Sequence, residues 1–318
     1  MSTAGHILLT DRAWPDAEIE RSICSSAGYE LVDANGSSRA ELMRAAGNAV
    51  GILTNWAVVD ADVIAAAPNL RGICRLGVGV DNIDLVSAGE RGVVVARIAD
   101  YCLEEVSDHV LAMTLAWARG LTEYNAEVHR GVWTPGVREQ RRLSSLVIGV
   151  WGSGLNGRRT AAKLAALGCE VLIDDRHGAE SASERVTPVA VDQLLARSDV
   201  VSIHLPLTAG TEGIVSTNEL ARMKSGALLV NTSRGGVIDL DALRPELESG
   251  RLAAALDVLP SEPKVPDWLR AIRQVILTPH VAFSSRESVA DLRERATRDL
   301  LAILEGGNPQ FPVRAVGA

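Results

Sequence analysis

The feature that most constrains this chain is a short glycine run placed where an apolar strand pattern turns into a helical one. The stretch Leu146–Trp151 is followed directly by Gly152-Ser153-Gly154-Leu155-Asn156-Gly157 and then by the helical pattern Arg158–Leu167. In a chain with 28 glycines the G-x-G-x-x-G spacing alone says little. Between a strand and a helix it says more, because glycines permit the tight turn and let backbone amides approach a pyrophosphate at the helix N-terminus. The next apolar run ends at Asp174-Asp175, and Asp175 lies 18 positions past Gly157. A carboxylate about 20 residues on is placed to accept hydrogen bonds from an adenosine ribose. Gly152, Gly154, Gly157 and Asp175 are therefore expected to hold a dinucleotide. NAD is expected over NADP, since a 2′-phosphate would meet like charge at Asp175, although Arg176 and His177 partly offset that repulsion.

The rest of the chain repeats the same rhythm. His6–Thr10, Tyr29–Ala34, Val50–Asn55, Arg71–Leu76 and Val93–Arg97 read as strands alternating with helical segments such as Asp16–Ala27 and Ala61–Ala67. A long helix is expected from Leu103 to about Arg130, after which the alternation restarts at Leu146 and runs through Cys169–Ile173, Val200–Leu205, Ala227–Thr232, Ala253–Val258 and Val275–Thr278. Apolar runs of this kind suit parallel strands covered on both faces. Two α/β domains of the doubly wound kind follow, with a boundary near residue 100. A last helix, Ser285–Leu304, carries Val289, Leu292, Ala296, Leu300 and Ile303 on one face.

Composition narrows the function. The 318 residues are enough for two domains at roughly 150 residues each. With 40 acidic and 32 basic side chains the net charge is −8, which repels nucleic-acid phosphates and anionic lipid, and 3% aromatic content offers no stacking surface for single strands. Asp11 and Arg12 follow Ile7-Leu8-Leu9 too soon for a signal-peptide apolar region, and no stretch reads as a membrane span. Cys24, Cys74, Cys102 and Cys169 are far apart, with no zinc spacing and no disulfide framework, so a reducing cytoplasm and no metal are expected.

Three segments at or just past strand ends carry the ionisable residues: Asn231-Thr232-Ser233-Arg234, Asp257-Val258-Leu259-Pro260-Ser261-Glu262 and Thr278-Pro279-His280. Carboxyl ends of strands are where doubly wound sheets bind ligands. Arginine suits bidentate capture of a carboxylate, histidine suits proton transfer near neutral pH, and glutamate can orient that histidine. Singly, each has a plain structural alternative; the ordered set behind a nucleotide loop points to catalysis.

At this point the chain resembles the D-isomer-specific 2-hydroxyacid dehydrogenase family, in the branch near phosphoglycerate dehydrogenases and C-terminal-binding corepressors. The likeness rests on Arg75-Leu76-Gly77-Val78-Gly79-Val80-Asp81-Asn82-Ile83-Asp84, the glycine loop, Val201–Thr208, Met223–Asp239, Ala255–Val258, Leu277–His280 and the segment Asp100–His109. It implies a Rossmann NAD-binding domain, residues 102–283, inserted into a flavodoxin-like substrate domain of residues 1–101 and 284–318. It also implies that Arg234 binds the substrate carboxylate, that His280 is the acid/base, and that Glu262 hydrogen-bonds His280 and raises its pKa. By the same resemblance Leu155, Asn156, His204, Thr232, Ser233 and Asp257 join the cofactor site, and Gly77, Val78 and Gly79 hold substrate through backbone amides. The implied function is NAD(H)-dependent interconversion of a small 2-oxo acid and a D-2-hydroxy acid by a homodimer joined through the cofactor domain. An NADH-sensing corepressor-like protein with little turnover is the alternative.

The chain departs from the family at Trp151, at Leu155-Asn156 and at Arg97, which stands where asparagine is common. A second arginine beside substrate favours a dianionic, for instance phosphorylated, acid. The plain alternative for Arg97 is an outward side chain or a pair with Asp100 or Asp108.

Overall fold

The computed structural model describes residues 5–136, 139–174 and 184–313. The chain divides into two compact units, Met1–Tyr101 with Ser285–Ala318, and Cys102–Ser284.

In the first unit five parallel strands, β1 (His6–Leu9), β2 (Glu30–Asp33), β3 (Ala49–Thr54), β4 (Gly72–Arg75) and β5 (Val94–Arg97), lie in the order β2-β1-β3-β4-β5. The short strand Pro312–Val313 adds antiparallel to β5. Apolar clusters cover both faces of the sheet, which is why its strands read as unbroken apolar runs. The helix Arg286–Leu304 lies on one face through Leu292, Ala296, Leu300 and Ile303. Within that apolar contact Arg293 is buried and meets the fully buried Glu20 with two bonds of 2.8 and 2.9 Å.

The second unit holds seven parallel strands: β6 (Val147–Trp151), β7 (Glu170–Asp174), β8 (Val186–Val189), β9 (Val200–Ile203), β10 (Leu228–Asn231), β11 (Ala253–Leu256) and β12 (Ile276–Leu277). Their order is β8-β7-β6-β9-β10-β11-β12, so the winding reverses between β6 and β9. A ligand crevice belongs at the carboxyl ends of the strands beside such a reversal.

Three sequence expectations need correction. The long helix after Leu103 is two helices, Leu103–Arg119 and Leu121–His129, because Gly120 adopts φ 61° and ends the first as a left-handed cap. The helix after the glycine loop starts at Leu155, with Gly154 as its N-cap, so the loop's last residues form the first turn. Strand β8 was not expected: it is a four-residue edge strand containing Pro188, and proline is confined to such edges.

Candidate active site

The first element of the site is the turn between β6 and the helix Leu155–Ala166. Gly152 has φ 117°, and a side chain there would meet the His204 carbonyl oxygen at 2.5 Å; one on Gly157 would meet the Gly152 oxygen at 1.9 Å. Only glycine permits this fold of loop onto helix. A side chain on Gly154 would meet nothing within 4 Å, so the turn opens to space on that side. The helix has no side-chain cap and no acid in its first turn, which leaves its first amides and the positive end of its dipole for an anion. In the turn and its helix the buried oxygens Ser153 Oγ, Asn156 Oδ1 and Thr160 Oγ1, and past β10 Thr232 Oγ1, have no hydrogen-bond partner among the described residues. A pyrophosphate-bearing dinucleotide fits that cradle and those orphaned groups.

Leu155, in the first turn, is half exposed. Trp151 is 2% exposed and packs into the apolar cluster of the unit, so the unusual residue before the loop is core. His204 lies under the loop: its amide donates to the Trp151 carbonyl at 2.8 Å, and its Nε2 is 2.9 Å from Ser202 Oγ. Burial pushes its imidazole down to about 4, so it is neutral at ordinary pH. Asp174 closes β7 as a buried acid. The ribose acceptor expected at Asp175, with Arg176 and His177, lies outside the described residues.

The second element is the turn after β10. Asn231, fully buried at the strand end, accepts from the Ser233 amide (3.0 Å) and hydroxyl (2.8 Å) and donates to the Arg234 carbonyl at 2.9 Å. That staple presents Thr232, Ser233 and Arg234 in fixed order. A side chain on Gly235 would strike the Leu259 carbonyl carbon at 2.0 Å, so the arginine turn and the loop that carries Glu262 are packed backbone to backbone.

The third element is the acid/base pair. His280 Nδ1 is 2.8 Å from Glu262 Oε2, and Glu262 Oε1 accepts from the Leu259 amide at 2.9 Å. Partial burial of Glu262 opposes its ionisation. The bonds from His280 and Leu259 and the nearby charges of His280 and Arg234 outweigh that and hold its carboxyl below the usual value. An ionised carboxylate only accepts, so Nδ1 carries the proton that meets Glu262, and Nε2 is the ring nitrogen that Glu262 does not engage. His280 also has φ 54°, a left-handed conformation that costs on the order of 1–3 kcal/mol and persists only where its surroundings enforce it.

Asp257 does the enforcing. Its backbone oxygen accepts from the His280 amide at 2.8 Å, and its carboxylate accepts from the amides of Val281 and Ala282, both at 2.9 Å. It also accepts from Thr278 Oγ1 at 2.5 Å, and His109 Nε2 stands 3.1 Å from that hydroxyl. At 2% exposure this carboxylate serves the histidine loop. Asn231, Thr278 and His109 were not singled out from sequence; the first two carry their signal in adjacency to Arg234 and His280, while nothing in the sequence ties position 109 to position 278.

In the first unit Gly77, Val78 and Gly79 follow β4, and Arg97 ends β5 beside Arg75 in register. Arg97 Nη1 donates to the Val78 carbonyl at 3.1 Å. The acids expected as its partners are engaged elsewhere, Asp100 with Arg295 at 2.5 Å and Asp108 with Lys163 at 2.6 Å. No carboxylate lies within ion-pair distance of Arg97 among the described residues.

Residues 111–282 match the family described as D-isomer specific 2-hydroxyacid dehydrogenase, NAD binding domain. The chain is 36% identical over 270 residues to the D-3-phosphoglycerate dehydrogenase of Mycobacterium leprae, covering 84% of this chain and 50% of that one. It thus spans about half the length of the first curated relatives it matches. A glyoxylate reductase of Thermofilum pendens is 35% identical over 79% of this chain and 77% of its own. The crystal structure of a D-lactate dehydrogenase from Aquifex aeolicus, complexed with NAD and lactic acid, superposes with a TM-score of 0.87 at 27% identity, covering 95% of this chain and 96% of that one.

Proposed function

The chain belongs to the D-isomer specific 2-hydroxyacid dehydrogenase family, and on that footing we propose that it interconverts a small 2-oxo acid and a D-2-hydroxy acid. The observation that carries the reading is the 2.8 Å bond between His280 and Glu262, made by a histidine held in a strained backbone conformation. NADH, when bound, supplies the hydride that reduces the carbonyl carbon. The amides at the start of the helix Leu155–Ala166, with Ser153, Asn156, Thr232 and Ser233, would hold the dinucleotide, and Asp175 would hold its ribose and favour NAD over NADP. Arg234 pairs with the substrate carboxylate through its planar fork. His280 Nε2 delivers the proton to the carbonyl oxygen as the hydride arrives, and in the reverse direction takes it back from the hydroxyl. Glu262 keeps the Nδ1 proton in place and stabilises the imidazolium. An intact proton-transfer pair supports turnover over a purely NADH-sensing, corepressor-like role.

Arg97 and the amides of Gly77, Val78 and Gly79 are assigned to anionic groups of the substrate, since Arg97 meets no carboxylate among the described residues and its side-chain bond to the Val78 carbonyl uses a single donor. That assignment favours a phosphorylated or dicarboxylic oxo acid. NADH oxidation is to be followed with glyoxylate, pyruvate, hydroxypyruvate, phosphohydroxypyruvate and 2-oxoglutarate. Reduction of at least one, to the D product, supports the reading, and failure with all refutes it. Arg97→Met should raise KM for the dianionic acids far more than for the monoanionic ones, by the roughly 1.5–3 kcal/mol of a charge-assisted contact. Equal effects remove Arg97 from substrate recognition.

No helix among the described residues is long and apolar enough to cross a membrane, and the four cysteines are buried and unbridged, which supports a reducing compartment, the cytoplasm. A homodimer joined through the second unit is supported by the helix Leu121–His129, which buries none of its residues and exposes Leu121 and Val128, and by the exposed Val132 and Trp133 just past it.

A further inference from the structure

His109 lies on the helix Leu103–Arg119, on a different element from every group assigned a part in the reaction. Its Nε2 is 3.1 Å from Thr278 Oγ1, which is itself 2.5 Å from Asp257 Oδ1. The direction of this chain follows from counting protons. Asp257, when ionised, only accepts, so the single hydroxyl proton of Thr278 goes to Asp257, and the hydroxyl must accept from His109. His109 therefore carries its proton on Nε2. The same imidazole nitrogen stands 3.7 Å from Asp257 Oδ1. Beyond that carboxylate lie the Val281 and Ala282 amides, and the backbone oxygen of Asp257 takes the amide of His280.

The geometry points to His109 as a positioning residue for His280, acting through Thr278 and Asp257. The Val281 and Ala282 amides hold one carboxylate oxygen each, Oδ1 and Oδ2, and Oδ1 takes a further bond from Thr278. The Thr278 hydroxyl reinforces that orientation at Oδ1, and the His109 N–H fixes the hydroxyl. The ordered relay keeps three consecutive amides, 280 to 282, on one residue, and so holds Nε2 of His280 in a single place while Glu262 holds Nδ1. His109 touches no reacting atom in this account. Its effect is on the fraction of molecules whose histidine is aimed at the carbonyl oxygen. The inference rests on the proposed reaction only for its kinetic readout.

Two measurements test it on the 318-residue chain. In the first, NADH oxidation is followed with the best 2-oxo acid for His109→Leu, His109→Gln, Thr278→Val and Thr278→Ser. The Leu and Val variants should lose kcat by about 10- to 100-fold, the scale set by small misplacements of a reacting group, with KM and NADH affinity nearly unchanged. The Gln and Ser variants, which restore an N–H donor and a hydroxyl, should recover most of kcat. In the second, hydrogen exchange at the amides of Val281 and Ala282 is compared with that of the strand β10 amides. It should quicken in His109→Leu and Thr278→Val and leave β10 as in the wild type. Unchanged kcat together with unchanged exchange overturns the proposal. A parallel loss of kcat, NADH affinity and melting temperature without rescue by Gln or Ser also overturns it, since that is a merely structural role. If the wild type reduces none of the acids offered, the proposed reaction fails, and the exchange experiment still decides whether His109 orders the His280 loop.

Discussion

A histidine whose Nδ1 proton is pinned to a carboxylate exchanges protons with a substrate through its other nitrogen. The bonds from His280 and Leu259 and the charges of His280 and Arg234 hold Glu262 ionised. Glu262→Ala removes the acceptor that fixes the Nδ1 proton, so kcat for oxo-acid reduction should fall by about 10-fold or more, the scale of a charge-assisted hydrogen bond, with NADH affinity nearly unchanged. An unchanged kcat would refute the pairing as a working one. Glu262 also has a signature in stability. Its carboxyl is held below the ordinary value of 4.5, so its contribution is fully present above that pH and is lost as pH falls through the lowered value. The Glu262–His280 contact was legible because those residue types, in loops past neighbouring strands, suggest a hydrogen-bonded pair; the roles proposed for them and for Arg234 rest on the proposed reaction. His109 was not legible, because the contact that gives it meaning spans 169 positions and depends on how a helix lies on the sheet.

The elements were legible in proportion to how well their apolar pattern survives both-face burial. Central strands such as β9 and β10 are uniformly buried, and β6 is buried from Ile148 onward, and they read plainly. The edge strand β8 and the break at Gly120 depend on local chemistry that an apolar pattern misses. The C-terminal helix was read as having one apolar face, but the pattern could not name what that face covers. The structure places it on the first unit's sheet, with the Arg293–Glu20 pair closed inside the contact. Arg293 is 7% exposed and Glu20 fully buried. Removing one partner strands a buried charge, so Arg293→Met should destabilise the first unit by about 3–5 kcal/mol in urea unfolding. Adding Glu20→Leu should restore much of that loss, since an apolar pair of similar volume has no charge to desolvate. A single mutant as stable as the wild type would show that the pair contributes nothing net.

At the scale of the whole molecule, two parallel sheets were expected and two are found, because alternating strand and helix patterns leave few other architectures. The family resemblance implies a homodimer through the cofactor domain, but the residue pattern alone does not say which surface would form it, since nothing in an apolar count separates a core valine from one meant for a second copy. Trp133 is 85% exposed and borders one shallow surface pocket with Val128 and Val132, a patch that suits the proposed dimer. If that proposal holds, Trp133→Asp should turn a dimeric wild type into monomer in sedimentation, with the fold intact by circular dichroism. A monomeric wild type, or a variant that remains dimeric, would remove this surface from the assembly. The central claim is that His280 moves the proton while the glycine turn independently holds the cofactor. It is tested most directly by single-turnover NADH oxidation in His280→Ala, loaded with NADH before mixing with the oxo acid. The account predicts full NADH loading and a rate lower by about 10²–10⁴-fold, the worth of a positioned proton donor. Oxidation at the wild-type rate would contradict it.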